Sequence, residues 1–308
     1  MALGPFVGTW QDPAGNRLVA GPDGVSLVLR DDPTTPPPNP TPDPTPDPSA
    51  PHGRLSILWH HGWSGPSLSD LPVDVRASLT TVCLGMSQSA RSGTGKLTMP
   101  PGVTRQQVQA LVADGVQVLV GIGGSLDGGV TVNSTARVAE LVASAQAQRD
   151  ALAVSGICWD LEGTPGQAWT VDAVVAASQQ LLDDKMVVGQ WAATYSGRGV
   201  AWGAVAKALG TRLNHWQRPY YDFPEANDSR LTGIVTGDLS SIRQYLARDD
   251  QLVVSLAPGG SSSRTPIDVA INAFTAARRA MPQVGWSVWE DYRDHEGGWK
   301  FTRGLAKV

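Results

Sequence analysis

Ser155-Gly156-Ile157-Cys158-Trp159-Asp160-Leu161-Glu162-Gly163 is a short apolar run that ends in two carboxylates two positions apart. Side chains alternate across a strand, so Asp160 and Glu162 point the same way. Two acids on one face at the end of a buried strand suggest proton chemistry. The plainer alternative is a pair of loop acids at the start of the next helix. Further apolar runs at 55–59, 79–86, 116–122, 186–192, 212–216, 251–257 and 285–289 also read as strands, 155–161 being the fourth of eight. Helices are predicted between them at 105–113, 133–153, 171–182, 201–209, 239–247 and 266–280, with Ser134 and Thr170 as N-caps for two of them. Eight strands separated by helices predict an α/β fold, a (β/α)8 TIM barrel. A doubly wound sheet would fit six strands more comfortably, and no Gly-x-Gly-x-x-Gly follows the first strand.

The barrel occupies 52–308 of the 308 residues. Ahead of it, residues 33–51 place proline at roughly every second position among Thr, Asp and Asn, which predicts an extended, polyproline-like linker over 32–51. Residues 1–31 carry two short apolar runs separated by Pro13-Ala14-Gly15-Asn16 and Gly21-Pro22-Asp23-Gly24 turn signals, a small β segment. Some thirty residues are too few for an independent core without disulfides or metal, so an attachment segment is expected.

A net charge of −4 and a pI near 5.7 argue against nucleic acid as a partner. No apolar stretch approaches the ~20 residues of a membrane span, and Met1-Ala2-Leu3-Gly4-Pro5 does not read as a secretory signal. Cys83 and Cys158 both fall inside predicted strands and read as free core thiols; neither a disulfide framework nor a metal site is indicated. His60 and His61 are neighbours on opposite strand faces, which disfavours joint chelation. No cofactor is called for. Eleven Trp against four Phe inverts the usual ratio; indoles suit stacking on sugar rings, although large core residues are the alternative.

In a barrel of this kind, ligands meet the C-terminal ends of the strands. Those ends read Trp59-His60-His61-Gly62-Trp63, Gly121-Ile122-Gly123-Gly124-Ser125, Asp160-Leu161-Glu162, Gln190-Trp191 with Tyr195 beyond, Gln217-Arg218-Pro219-Tyr220-Tyr221-Asp222 and Trp289-Glu290-Asp291-Tyr292. Aromatic and acidic residues collect at one rim, as a carbohydrate cleft requires.

These stretches resemble glycoside hydrolase family 18, the chitinase and endo-β-N-acetylglucosaminidase family, from about Leu55 onward. The strand-four signature is similar to Ser155-Gly156-Ile157-Cys158-Trp159-Asp160-Leu161-Glu162, a Ser-x-Gly-Gly motif to Gly121-Ile122-Gly123-Gly124, a Tyr-Asp pair to Tyr221-Asp222, and a strand-eight Trp to Trp289. The resemblance implies substrate-assisted retaining hydrolysis, in which the substrate's acetamido oxygen attacks the anomeric carbon. Most glycosidases need two carboxyls across the bond; the seventh strand, Leu252 to Gly260, has none, which suits the substrate-assisted route. It further implies Glu162 as acid and base, its pKa raised by the like charge of Asp160, with Asp160 orienting the acetamido group. Tyr221 or Tyr220 would donate to the acetamido carbonyl and Trp289 would floor the sugar. Asp222 and Gln217 are candidates for sugar hydroxyls, and Trp191, Trp59, Gly123 and Gly124 for further contacts.

The sequence departs from the family where its two upstream acids become Ser155 and Cys158 and its strand-three Ser becomes Gly121. Those changes keep open a barrel that binds glycan without cutting it. The small β segment, the linker and the barrel together resemble a minor tail protein of a tailed bacteriophage. That implies a virion-tail or otherwise extracellular location, a polysaccharide of a bacterial envelope as partner, other tail proteins bound through residues 1–31, and a possible homo-oligomer.

Overall fold

The computed structural model describes residues 8–11, 17–21, 24–28, 54–62, 65–124, 128–163, 165–193, 198–259 and 264–308. The predicted linker, Trp63, Ser125 and Tyr195 lie outside them. The chain divides into two units, Met1–Thr45 and Pro46–Val308. In the first, β1 (Gly8–Gln11), β2 (Arg17–Gly21) and β3 (Gly24–Val28) form a three-stranded antiparallel meander.

The second unit is a closed barrel of eight parallel strands. Its strands are β4 (Ser56–His61), β5 (Thr81–Ser87), β6 (Gln117–Gly124), β7 (Gly156–Leu161), β8 (Val187–Trp191), β9 (Trp216–Pro219), β10 (Leu252–Leu256) and β11 (Gly285–Val288). Helices lie between or after them: α1 (Val73–Ala77), α2 (Arg105–Ala113), α3 (Thr135–Leu152), α4 (Val171–Asp183), α5 (Arg198–Leu209), α6 (Arg230–Arg243), α7 (Ile267–Ala280), α8 (Asp291–Glu296) and α9 (Lys300–Leu305). This is the (β/α)8 architecture the alternating pattern predicts. Thr170 caps α4 by accepting from the Ala173 N–H, whereas the Ser134 side chain makes no capping bond to α3.

Strand alternation splits the core in two. On β7, Ile157, Trp159 and Leu161 pack outward against the helices, and Cys158 joins the core inside the barrel. Leu58, Val82, Leu84, Val118 and Val120 likewise face out, while Ile57, Trp59, Cys83, Leu119, Val187 and Val253 fill the interior. Fully burying an indole such as Trp59 is worth about 4–6 kcal/mol of apolar transfer before its entropy cost. The abundant Trp residues therefore go mostly to packing: Trp59, Trp159, Trp169, Trp202 and Trp216 are all fully buried.

Two elements sit away from their predicted places. The sixth barrel strand is Trp216–Pro219, not 212–216, because Gly210–Arg212 turn as a short 3-10 helix. Proline can end a strand, and Pro219 still aligns with Ser255 in β10. Helix α6 begins at Arg230 rather than 239: Gly233, Thr236 and Gly237 dilute its helical propensity. Its buried residues Leu231, Val235, Leu239 and Ile242 nonetheless keep helical spacing.

Candidate active site

Cys158 and Asp160 on the inner face of β7, and Glu162 just past its end, run from the interior to the mouth. Cys158 is fully buried, Asp160 is 1 % exposed and Glu162 is half-buried. Asp160 and Glu162 thus share one face, as the alternation predicts. Both line a cleft of ≈ 400 Å³ together with Trp191, Tyr221, Asp222 and Trp289. Arg218, Pro219, Phe223 and Ile234 complete its wall.

The aromatic residues form a connected floor. Trp289 packs edge-on against Trp59 at 5.1 Å and against His61 at 4.5 Å, and lies nearly parallel to Tyr221, 9° between planes, at 6.5 Å. Trp191 donates its indole N–H to the Tyr221 hydroxyl at 3.1 Å. That leaves the Tyr221 proton available to donate elsewhere. Burial, then the nearby charges of Asp160 and Asp222, push the Tyr221 phenol well above its usual range, so it stays protonated.

A charged rim surrounds this floor. The Arg264 guanidinium stands 5.7 Å over the Tyr221 ring, 3.5 Å from Glu290 and 3.8 Å from Asp222. Glu290 also meets His61 Nδ1 at 3.2 Å and Arg293 at 3.1 Å. Burial raises the Glu290 pKa, but the His61 and Arg293 hydrogen bonds outweigh it and hold the carboxyl below its usual value. The other histidine of the pair, His60, turns to Asp291 at 2.6 Å. Asp222 has φ +64°, a conformation Asp tolerates better than most residues.

The predicted residues thus divide. Asp160, Glu162, Tyr221, Asp222, Trp191 and Trp289 come together around the cleft. Tyr220 does not: one residue from Tyr221, it faces the opposite side, fully buried against the helices, and donates to Asp238 at 3.3 Å. Trp59 is also fully buried, beneath Trp289, and donates its N–H to Gln217 Oε1 at 2.8 Å. Gln217 is fully enclosed in the interior, so its amide serves core groups rather than a sugar hydroxyl. Gly123 has φ +116°, and a Cβ there would lie 2.3 Å from the Asp160 carbonyl oxygen; the glycine lets β6 approach β7. Gly124 has φ +87°, a backbone conformation that favours glycine, and a Cβ there would make only ordinary contact with Met86. At Gly121 a Cβ would fall 2.4 Å from the Trp59 ring, which explains why this position carries no side chain. Sequence reading missed Arg264 and the role of Glu290, because both act through partners distant in the chain.

No protein family's sequence profile matches the chain, and no curated protein does. Solved structures with a similar fold include a family GH18 chitinase from Chromobacterium violaceum, 18% identical with a TM-score of 0.68, covering 100% of this chain and 98% of that one. The catalytic domain of a family GH18 chitinase from the fern Peteris ryukyuensis is 15% identical with a TM-score of 0.68, covering 82% and 98%. The spore cortex-lytic enzyme SleL of Bacillus megaterium is 13% identical with a TM-score of 0.63, covering 83% and 75%. At these identities the likeness is one of fold: the chain shares the eight-stranded barrel of such glycosidases. Among the described residues no helix is long and apolar enough to cross a membrane.

Proposed function

We propose that the barrel hydrolyses N-acetylglucosamine-containing polysaccharide of a bacterial envelope by substrate-assisted, retaining catalysis. The observation that carries this reading is the pairing of Asp160 and Glu162 on one strand face, opening into a cleft floored by Trp289 and edged by the Tyr221 hydroxyl. Val253 and Ser255 on the inner face of β10, and Ala257 just after it, carry no carboxyl group, so no second carboxylate stands there as nucleophile. In this scheme the acetamido oxygen of the substrate attacks the anomeric carbon as Glu162 protonates the departing oxygen. Asp160 orients the acetamido group and balances the positive charge of the cyclised intermediate. Tyr221 donates to the acetamido carbonyl, and Glu162 then takes a proton from the attacking water.

A second reading rests on Cys158, a thiol where the resembling motif has an acid beneath Asp160: a barrel that grips glycan without cutting it. Incubating the protein with chitooligosaccharides or purified cell wall and measuring new reducing ends separates the two. Release that Glu162→Gln abolishes, with binding retained, supports hydrolysis; binding without release selects the gripping role. The β meander and the Pro/Asp/Thr-rich stretch after it suit tethering to a larger particle such as a phage tail, and docking through residues 1–31 belongs to the same proposal. Co-assembly of the full chain, but not of residues 52–308, with other tail proteins tests it.

A further inference from the structure

The barrel interior beneath the cleft gathers two thiols and an imidazole that the hydrolytic scheme does not use. Cys83 on β5, Cys158 on β7 and His215, just before β9, are fully buried, and their Sγ, Sγ and ring nitrogen lie within 4.8 Å of one another. Far apart in sequence, they meet because inward residues of alternate strands share a layer in such barrels. We propose that Cys83, Cys158 and His215 form a binding site for a zinc-like divalent cation inside the barrel.

Three features fit a donor set rather than inert packing. The first is the His215 tautomer. Nδ1 lies 2.6 Å from Asn214 Oδ1 and so carries the proton. On the other side, Gln217 has its Oε1 fixed by Trp59 and therefore turns its amide hydrogens toward His215 Nε2 at 2.9 Å. Nε2 is thus the acceptor nitrogen on the side of the thiols, its lone pair taken by the Gln217 amide until a cation displaces it, and an oxygen behind Nδ1 is the usual outer support of a ligating histidine. Secondly, Cys158 Sγ stands 3.6 Å from His215 Nε2. A tetrahedral zinc with Zn–S of about 2.3 Å and Zn–N of about 2.0–2.1 Å sets these atoms roughly 3.5 Å apart, so little movement is needed. Thirdly, Gly189 makes room for the ring: a Cβ there would lie 2.3 Å from His215 Cε1.

Charge selects the cation. Each thiol loses its proton on forming a metal–sulfur bond, so a divalent ion and two thiolates sum to zero among fully buried side chains, with the fourth position of a tetrahedral ion left to a water that enters with it. A monovalent soft ion leaves a buried negative charge. The Gln217 amide now holds the cluster through its nitrogen, 3.4 Å from Cys158 Sγ and 3.7 Å from Cys83 Sγ, and has to withdraw as the cation enters.

The test uses the full chain, reduced and chelator-treated, titrated with Co2+ and then Zn2+. Uptake of one Co2+ per chain is expected, with a thiolate-to-cobalt charge-transfer band in the near ultraviolet, release of two protons and displacement by Zn2+. Cys83→Ser and Cys158→Ser each leave one thiolate and should cut the band to half or less, and Asn214→Ala should weaken binding by roughly 10–100-fold. Folding of each variant is checked by far-ultraviolet circular dichroism; if a serine variant does not fold, the band and proton release of the unmodified chain decide. Folded protein that takes up no stoichiometric Co2+, or binds it without a thiolate band, overturns the proposal. So does a folded serine variant that binds with the band intact.

Discussion

Replacing Tyr221 with Phe removes one oxygen and separates two roles of that atom. The hydroxyl accepts the Trp191 indole N–H at 3.1 Å, and Trp191 is only 9 % exposed. Losing the acceptor strands a buried donor, a cost of roughly 1–2 kcal/mol. For a domain of this size that lowers the melting midpoint by about 2–8 °C. If the hydroxyl also donates to the substrate carbonyl as charge develops, kcat/KM falls in addition by on the order of 10²-fold, about 2.7 kcal/mol of barrier. The two quantities are measured apart, by thermal melts without ligand and by initial rates of reducing-end release from chitotetraose. A lowered midpoint with unchanged kcat/KM would refute the catalytic part, leaving a hydroxyl that serves Trp191 alone.

Glu290 is a carboxylate held below its usual pKa, so its stabilising contribution is present above the unfolded value near 4.5 and is lost as pH falls through the lower folded value. Glu290→Gln should therefore unfold at lower denaturant than the parent at neutral pH, with the gap narrowing as the pH falls below the unfolded carboxyl's value and through the lower folded one; a gap that is constant with pH contradicts the sign. Gly156→Ala places a Cβ 2.0 Å from the Val187 carbonyl oxygen, a backbone atom that cannot step aside. A loss of more than ~3 kcal/mol is expected, seen as a collapsed melting midpoint, and a parent-like midpoint would show that β7 and β8 can part. Asp160→Asn should reduce hydrolysis by roughly 10²–10⁴-fold with the midpoint little changed; retained turnover removes Asp160 from the reaction.

The barrel was legible because apolar runs of strand length alternate with helical stretches, a signal each segment carries locally. The acids of β7 were legible for the same reason: period two alone puts Asp160 and Glu162 on one face. Tyr220 and Tyr221 show the limit. Which of two adjacent tyrosines faces the cleft depends on the register of β9, and that strand lies a few residues beyond its predicted place. Gln217 and Trp59 look like rim residues in the sequence, yet both are fully buried inside the barrel, where they bond to each other. The Cys83, Cys158 and His215 cluster could not be read from spacing at all, since only barrel closure brings three separate strand regions into one layer.

Gly121 and Trp59 amount to a single choice written at two sites. An indole at 59 forbids any side chain at 121, and a serine at 121, as in the resembling motif, would need a smaller neighbour first. Sequence change here has to pass through a cavity, because the reverse order passes through a collision. Lineages of this barrel should therefore carry either the bulky partner with glycine or a slimmer partner with serine, and mixed pairs of bulky partner with serine should be rare.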